Sequence, residues 1–269
     1  MISQRIRSLF HPELYHGWQR KKSYFEGWYF KLVSADEKNI FAIIPGIAMD
    51  ADGNKQSFIQ VFNGKDNYAE YIKFDAKEFK PHPEAFDVSI GKNKFSTNKI
   101  ILDLPDIKGE IYSSNHIPWP NEWYSPGIMG PFSFVPFMQC YHGILSMNHQ
   151  LSGFLEYKGD RISFDGGKGY MEKDWGQSFP SGYIWMQSNH FDRRDTSLKS
   201  SVAHIPWLFS SFTGYIAGVW LEDRIIEFTT YNFTKLRKCY VDENKVILVY
   251  ENAKHLLELE ALRLSLIHI

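Results

Sequence analysis

The chain has 269 residues and a mass of 31.5 kDa, room for one large or two small domains, and its 43% hydrophobic content is enough for a real core. Thirty basic residues against 31 acidic ones leave the net charge near zero, so the long-range field that draws a protein to nucleic acid is missing. Two cysteines (Cys140, Cys239), a start without a secretory apolar run and no stretch near the roughly 18 apolar residues of a membrane span predict a cytoplasmic chain that meets lipid only peripherally.

Period-two patterning dominates in chain order. FEGWYFKLV, NIFAIIPGIAM, SFIQVFN, AEYIKF, FDVSIG, NKIILDL and IKGEIYS read as short strands separated by turn material. Gly53 in DADGNK and Gly64 in NGKDN are expected to supply the positive φ of such turns. Residues 117–137 hold five prolines among Trp, Tyr and Phe; they predict a long ordered loop, either a lid or membrane-touching lip, or a packed connection between two β units. Strand-like segments resume with QCYHGILSMNHQLSGFLEYKGD and continue to KVILVYENAKHLLELEA.

The expected architecture is all-β: two tandem antiparallel β-barrel units, the first over 1–160, the second over 161–263 and lacking its last strands. YFEGW at 24–28 and YMEKDW at 170–175 suggest a faint internal repeat, with matching first strands in the two units. The terminal LSLIHI, 264–269, resembles a translated sequencing adapter and is set apart as a scar.

The usual cofactor signatures are missing from the sequence, and none is expected. Cys140, His142 and His149 are conceivable metal donors, but on an extended strand His149 faces away from His142, so no metal is expected either. In GYMEKDWG, Tyr170, Glu172 and Asp174 share one face, with Met171, Lys173 and Trp175 on the other. Same-face neighbours about 6.6 Å apart in a poorly solvated cavity couple, which keeps one carboxyl protonated and makes it a general acid. On a solvated face the acids would only pair with Lys168 or Lys173. In the following YIWMQSN, Tyr183, Trp185, Gln187 and Asn189 alternate onto one face, a mixture of rings and amides that suits a pocket wall. Glu26, set among the aromatics of YFEGWYF, is either paired or functional.

Together these segments resemble the tocopherol cyclase family, through SYFEGWYFKLV (23–33), GPFSFVPFMQCYHGILSMNHQLSG (130–153), YMEKDWGQSFPSGYIWMQSNHF (170–191) and YENAKHLLELEA (250–261). The family is similar to a wider lipocalin-like two-barrel group that includes hydroxyneurosporene synthase, whose acid motif maps onto Tyr170 and Glu172. The resemblance implies lipocalin-like units and a cofactor-independent cyclase that protonates the alkene of a prenylated hydroquinone and closes a chromanol ring. In that scheme Glu172 donates the proton and Asp174 tunes it, Tyr170, Trp28 and Trp185 stabilise positive charge, and His142 reprotonates the acid or holds the phenol. Substrate contacts then fall to Glu26, Trp28, Trp175, Tyr183, Trp185, Gln187 and Asn189. The alternatives are a non-catalytic carrier of an apolar isoprenoid and an alkene hydratase.

Overall fold

The structure is a computed structural model, and it describes residues 7–207 and 209–262. The adapter-like 264–269 lie outside the described residues. It divides into two compact units, 1–179 and 180–269.

The first unit is built from β1 (Tyr24–Val33), β2 (Ile40–Met49), β3 (Lys55–Asn63), β4 (Tyr68–Asp75), β5 (Phe79–Pro81), β6 (Asp87–Ile90), β7 (Asn93–Ser96), β8 (Lys99–Asp103), β9 (Ile107–Ser114), β10 (Cys140–Tyr157), β11 (Asp160–Ser163) and β12 (Gly167–Gly176). They form one 12-stranded sheet in the order β4-β3-β2-β1-β12-β10-β9-β8-β7-β6-β5, with β11 paired to β10. Alternate residues of β1 are buried, and Trp28, Phe30 and Leu32 join Ile43, Ile59, Ile90, Phe95 and Leu155 in one core. Such a face, with β-branched and aromatic side chains at every second position, gives the sheet one apolar side to bury.

β12 lies between β1 and β10, pairing antiparallel with both. The unit boundary therefore falls after Phe179, not at 160, because the ladder hydrogen bonds of β12 tie it to the first sheet. The same pairing overturns the repeat. YFEGW and YMEKDW are adjacent strands of one sheet, with Tyr29 opposite Glu172 and Trp28 opposite Lys173, rather than matching strands of two units.

In DADGNK the turn has Gly53 at φ +90°, as expected, whereas in NGKDN the left-handed residue is Asn67 (φ +51°) and not Gly64. Asn tolerates that region better than other side chains. Residues 117–137 connect β9 to β10 within the first unit, so they are not a connection between units. They hold a short 3-10 segment, Gly127–Phe134, anchored by buried Trp119, Ile128 and Met129. Trp123, Tyr124, Phe134 and Phe137 remain exposed.

The second unit contains β13 (Tyr183–Ser188), β14 (Thr196–Trp207), β15 (Ser210–Leu221), β16 (Arg224–Thr229), β17 (Lys235–Val241), β18 (Lys245–Glu251) and β19 (Leu256–Leu262). They make a four-stranded sheet, β13-β14-β15-β16, and a three-stranded one, β17-β18-β19. A small core joins Val202, Ala217 and Phe228 of the first to Leu248 and Tyr250 of the second. All the pairings are antiparallel. The all-β, antiparallel expectation holds throughout. Among the described residues no helix is long and apolar enough to cross a membrane.

Candidate active site

β12 presents Tyr170, Glu172 and Asp174 on one face of the first unit's sheet, and the neighbouring strands bring matching groups to that face. His142 on β10 lies opposite Asp174, and Tyr29 on β1 lies opposite Glu172. Tyr170 Oη donates to Glu172 Oε2 at 2.5 Å. His142 Nδ1 stands 2.6 Å from Asp174 Oδ1, and its Nε2 is 3.7 Å from Glu172 Oε2. The four side chains thus form a chain, Asp174, His142, Glu172, Tyr170.

The two carboxylates do not face each other directly, since the imidazole lies between them. Burial is graded along the chain: the side chain of Asp174 is 21% exposed, that of His142 13%, that of Glu172 5%, and Tyr170 is fully buried. Asp174 at Nδ1 orients the ring, so that Nε2 is the nitrogen turned toward Glu172. Burial first, then the nearby Glu172 carboxylate, pushes the phenols of Tyr170 and Tyr29 well above their ordinary range, so both stay protonated and available as donors. Tyr29 meets Tyr170 edge to face at 6.3 Å. Sequence reasoning missed it, although its alternation with Glu26 and Trp28 in YFEGWYF already places it on the other face.

That alternation separates Glu26, Trp28 and Trp175 from Glu172. They lie on the opposite face of the same sheet, with Glu26 across from Trp175 and Trp28 across from Lys173 in the β1 to β12 register. Glu26 is fully buried and forms a 2.5 Å ion pair with Lys173, itself fully buried. Tyr24 Oη donates to Glu26 at 2.6 Å and the His16 backbone N–H donates at 2.9 Å. Lys173 also donates to Leu14 O and to His16 Nδ1. Since His16 accepts at Nδ1, its Nε2 carries the proton and donates to Ser8 O. Burial, then Lys173, holds His16 below its ordinary pKa and hence neutral.

Burial alone would raise Glu26, but Lys173 and His16 outweigh it and bring it to about 2, while burial lowers Lys173 to about 8 against the pull of Glu26. At neutral pH the pair is ionised. The Lys173 ammonium lies 4.8 Å from the Trp28 ring and 4.7 Å from the Trp175 ring. Trp28 does stabilise a cation, but it is the lysine's, on the far face from Glu172. The expectation that Trp28 and Trp175 share a pocket with the acid is corrected by this alternation. Lys173, with Lys168 the alternative partner for the acids on a solvated face, is instead an interior cation.

Tyr183, Trp185 and Gln187 lie on β13, in the second unit, on the face away from Ile184 and Met186, which pack on that unit's core. They share a face, as their alternation predicts. Asn189 follows the strand and is buried, whereas Tyr183 is 59% exposed.

Of the conceivable metal donors, His149 faces away from His142, opposite Gly169, and its ring lies 4.8 Å from that of His116. Burial, then His116, brings His149 down to about 3, so it is neutral. The donor set that geometry assembles is His142, Glu172 and Asp174, one atom from each lying within 4.8 Å of the others. Two carboxylates and an imidazole are ligands that a divalent cation accepts, and Cys140 is not among them.

A family model described as "Tocopherol cyclase-like" matches residues 116–232, which include His142, Tyr170, Glu172, Asp174 and the β13 face but not Glu26 or Trp28. The chain is 34% identical over 62 residues to the chloroplastic tocopherol cyclase of Zea mays. It is 32% identical over 62 residues to a probable chloroplastic tocopherol cyclase of Oryza sativa subsp. japonica. Each match covers 23% of this chain and 13% of the relative, so only about an eighth of those proteins is represented. In structure the chain is similar to CghA crystallised with Sch210972, at a TM-score of 0.55 and 10% identity, over 86% of this chain and 72% of that one. That likeness is one of fold alone. Across residues 116–232, this chain is similar to the tocopherol cyclase-like family.

Proposed function

We propose that the chain is an acid catalyst that protonates an alkene of a prenylated hydroquinone, with Glu172 as the proton donor and the phenol oxygen closing the chromanol ring. The observation that carries this reading is the Asp174, His142, Glu172, Tyr170 chain, in which a buried carboxyl is linked through an imidazole to a more exposed one. The match of the tocopherol cyclase-like family model over that segment supports it.

Glu172 gives its proton to the alkene carbon, leaving a tertiary cation within reach of the phenol oxygen. The phenol attacks, its proton leaves, and His142 Nε2 is placed to collect that proton and return it to Glu172. No electrons are exchanged and the enzyme ends as it began. Tyr170, held protonated, steadies the carboxylate while it is charged. The substrate is a hydrophobic small molecule, and the exposed rings of Trp123, Tyr124 and Phe137 offer a surface for peripheral contact with the lipid that holds it.

The test is Glu172→Gln with a prenylated hydroquinone and mass-spectrometric product analysis. Turnover should vanish while the fold and ligand binding persist; cyclisation at the parental rate would sink the mechanism. The same acid with water as nucleophile would make a hydratase, and a product heavier by one water identifies that outcome. A carrier would return its ligand unchanged.

A further inference from the structure

A cavity of about 560 Å3 opens in the first unit between the segment 8–20, the loop 126–136 and the start of β10. Among the described residues, its walls carry the rings of Tyr15, Trp18, Tyr24, Phe134, Tyr141 and Trp175. His142 is part of its lining, but neither Glu172 nor Asp174 is. One wall is fixed before any ligand arrives. His16 stacks on Trp175 at 4.4 Å with planes 2° apart, and Tyr141 stacks on Trp175 at 5.7 Å with planes 10° apart. Tyr141 is further held by a 2.5 Å bond to Val135 O. Such a rigid, ring-lined hollow has the size of a small-molecule site and little ordering entropy to lose on binding.

Among the described residues that line the cavity, Arg20 is the only Lys, Arg, Asp or Glu. Its guanidinium lies 5.4 Å from the Tyr24 ring centroid, and among the described residues no carboxylate forms an ion pair with it. Glu26, behind Tyr24, is neutralised by Lys173. Both nitrogens of His16 are turned to Lys173 and Ser8. A planar guanidinium held on an aromatic face, with no anion of its own, matches a carboxylate in two-pronged fashion, and the rings beside it match a flat apolar body.

We propose that this cavity is a binding site for a planar aromatic carboxylate, distinct from the Glu172 and Asp174 carboxyls on β12. Its ligand enters between Trp18 and Phe134, lies along the Trp175 wall and pairs its carboxylate with Arg20. The proposal does not depend on Glu172 having any catalytic role.

The experiment is calorimetric titration of the full chain with 2-naphthoate and with its methyl ester, which keeps the shape and loses the charge. The naphthoate should bind one to one and the ester at least tenfold more weakly. Arg20→Gln, an exposed change that should leave the melting temperature in place, should bring naphthoate down to the ester's affinity and leave the ester's unchanged. Phe134→Ala should weaken both, and Glu172→Gln should alter neither. The proposal is overturned if naphthoate shows no saturable binding, if the ester binds as well as the acid, if Arg20→Gln makes no difference, or if Glu172→Gln removes binding. Only the last of these outcomes bears on the acid chain.

Discussion

Glu26→Gln leaves the volume of the interior almost unchanged and takes away only a charge, which makes it a clean probe of the buried pair with Lys173. In the parent, the Lys173 ammonium is surrounded by Glu26, Leu14 O, His16 Nδ1 and the rings of Trp28 and Trp175. The substituted amide would keep the bonds from Tyr24 and the His16 backbone but leave an uncompensated ammonium with no exposed surface. Removing one partner of such a pair costs about 3 to 5 kcal/mol. With a urea m-value of roughly 2 kcal/mol per molar, the midpoint falls by about 2 M.

The assay is urea unfolding of the first unit, followed by amide exchange in β1 and β12 so that the second unit does not enter the signal. Replacing both residues, Glu26→Gln with Lys173→Met, removes the stranded charge as well. The double variant should lie within about 2 kcal/mol of the parent, well above either single change. A Glu26→Gln midpoint equal to the parent's, or a double variant whose cost is the sum of the two, would refute the account of a mutually dependent buried pair.

The depressed acidity of Glu26 also sets an acid limb. With a folded value of about 2 against an ordinary 4.5, its contribution is complete above pH 4.5 and is lost as the pH falls from there toward 2. Urea midpoints between about pH 6 and pH 2.5 should show that loss in the parent and a shallower one in Glu26→Gln. Asp174→Asn and His142→Gln should each lower turnover by about two to four orders of magnitude with the fold intact, and full turnover in either would remove the proton return path. Tyr170→Phe keeps the buried ring and removes the 2.5 Å bond to Glu172, so turnover should fall by about tenfold to a hundredfold and the pH profile of the rate should shift. An unshifted profile would leave Tyr170 as packing only.

Much of this arrangement was legible in the chain because the side-chain period of a strand is two wherever the strand lies. That period put Tyr170, Glu172 and Asp174 on one face, and Tyr183, Trp185 and Gln187 on another, before any pairing was known. It also determined that Glu26 and Trp28 lie together, and that Tyr29 does not lie with them. What it leaves open is which strands are neighbours. Pairing depends on hydrogen bonds between segments far apart in sequence, and those bonds involve backbone groups that every residue carries.

Only the tertiary structure seated β12 between β1 and β10, and three consequences came from that single fact. The YFEGW and YMEKDW strands became neighbours and not repeats. Lys173, an ordinary lysine by sequence, met Glu26 across the ladder and became an interior cation. His142, 32 residues from Asp174, came within 2.6 Å of it and separated two acids that the strand period alone had set directly against each other. The sequence by itself determined the faces; the fold decided what stood opposite each one, because alternation is a property of one strand and register is a property of two.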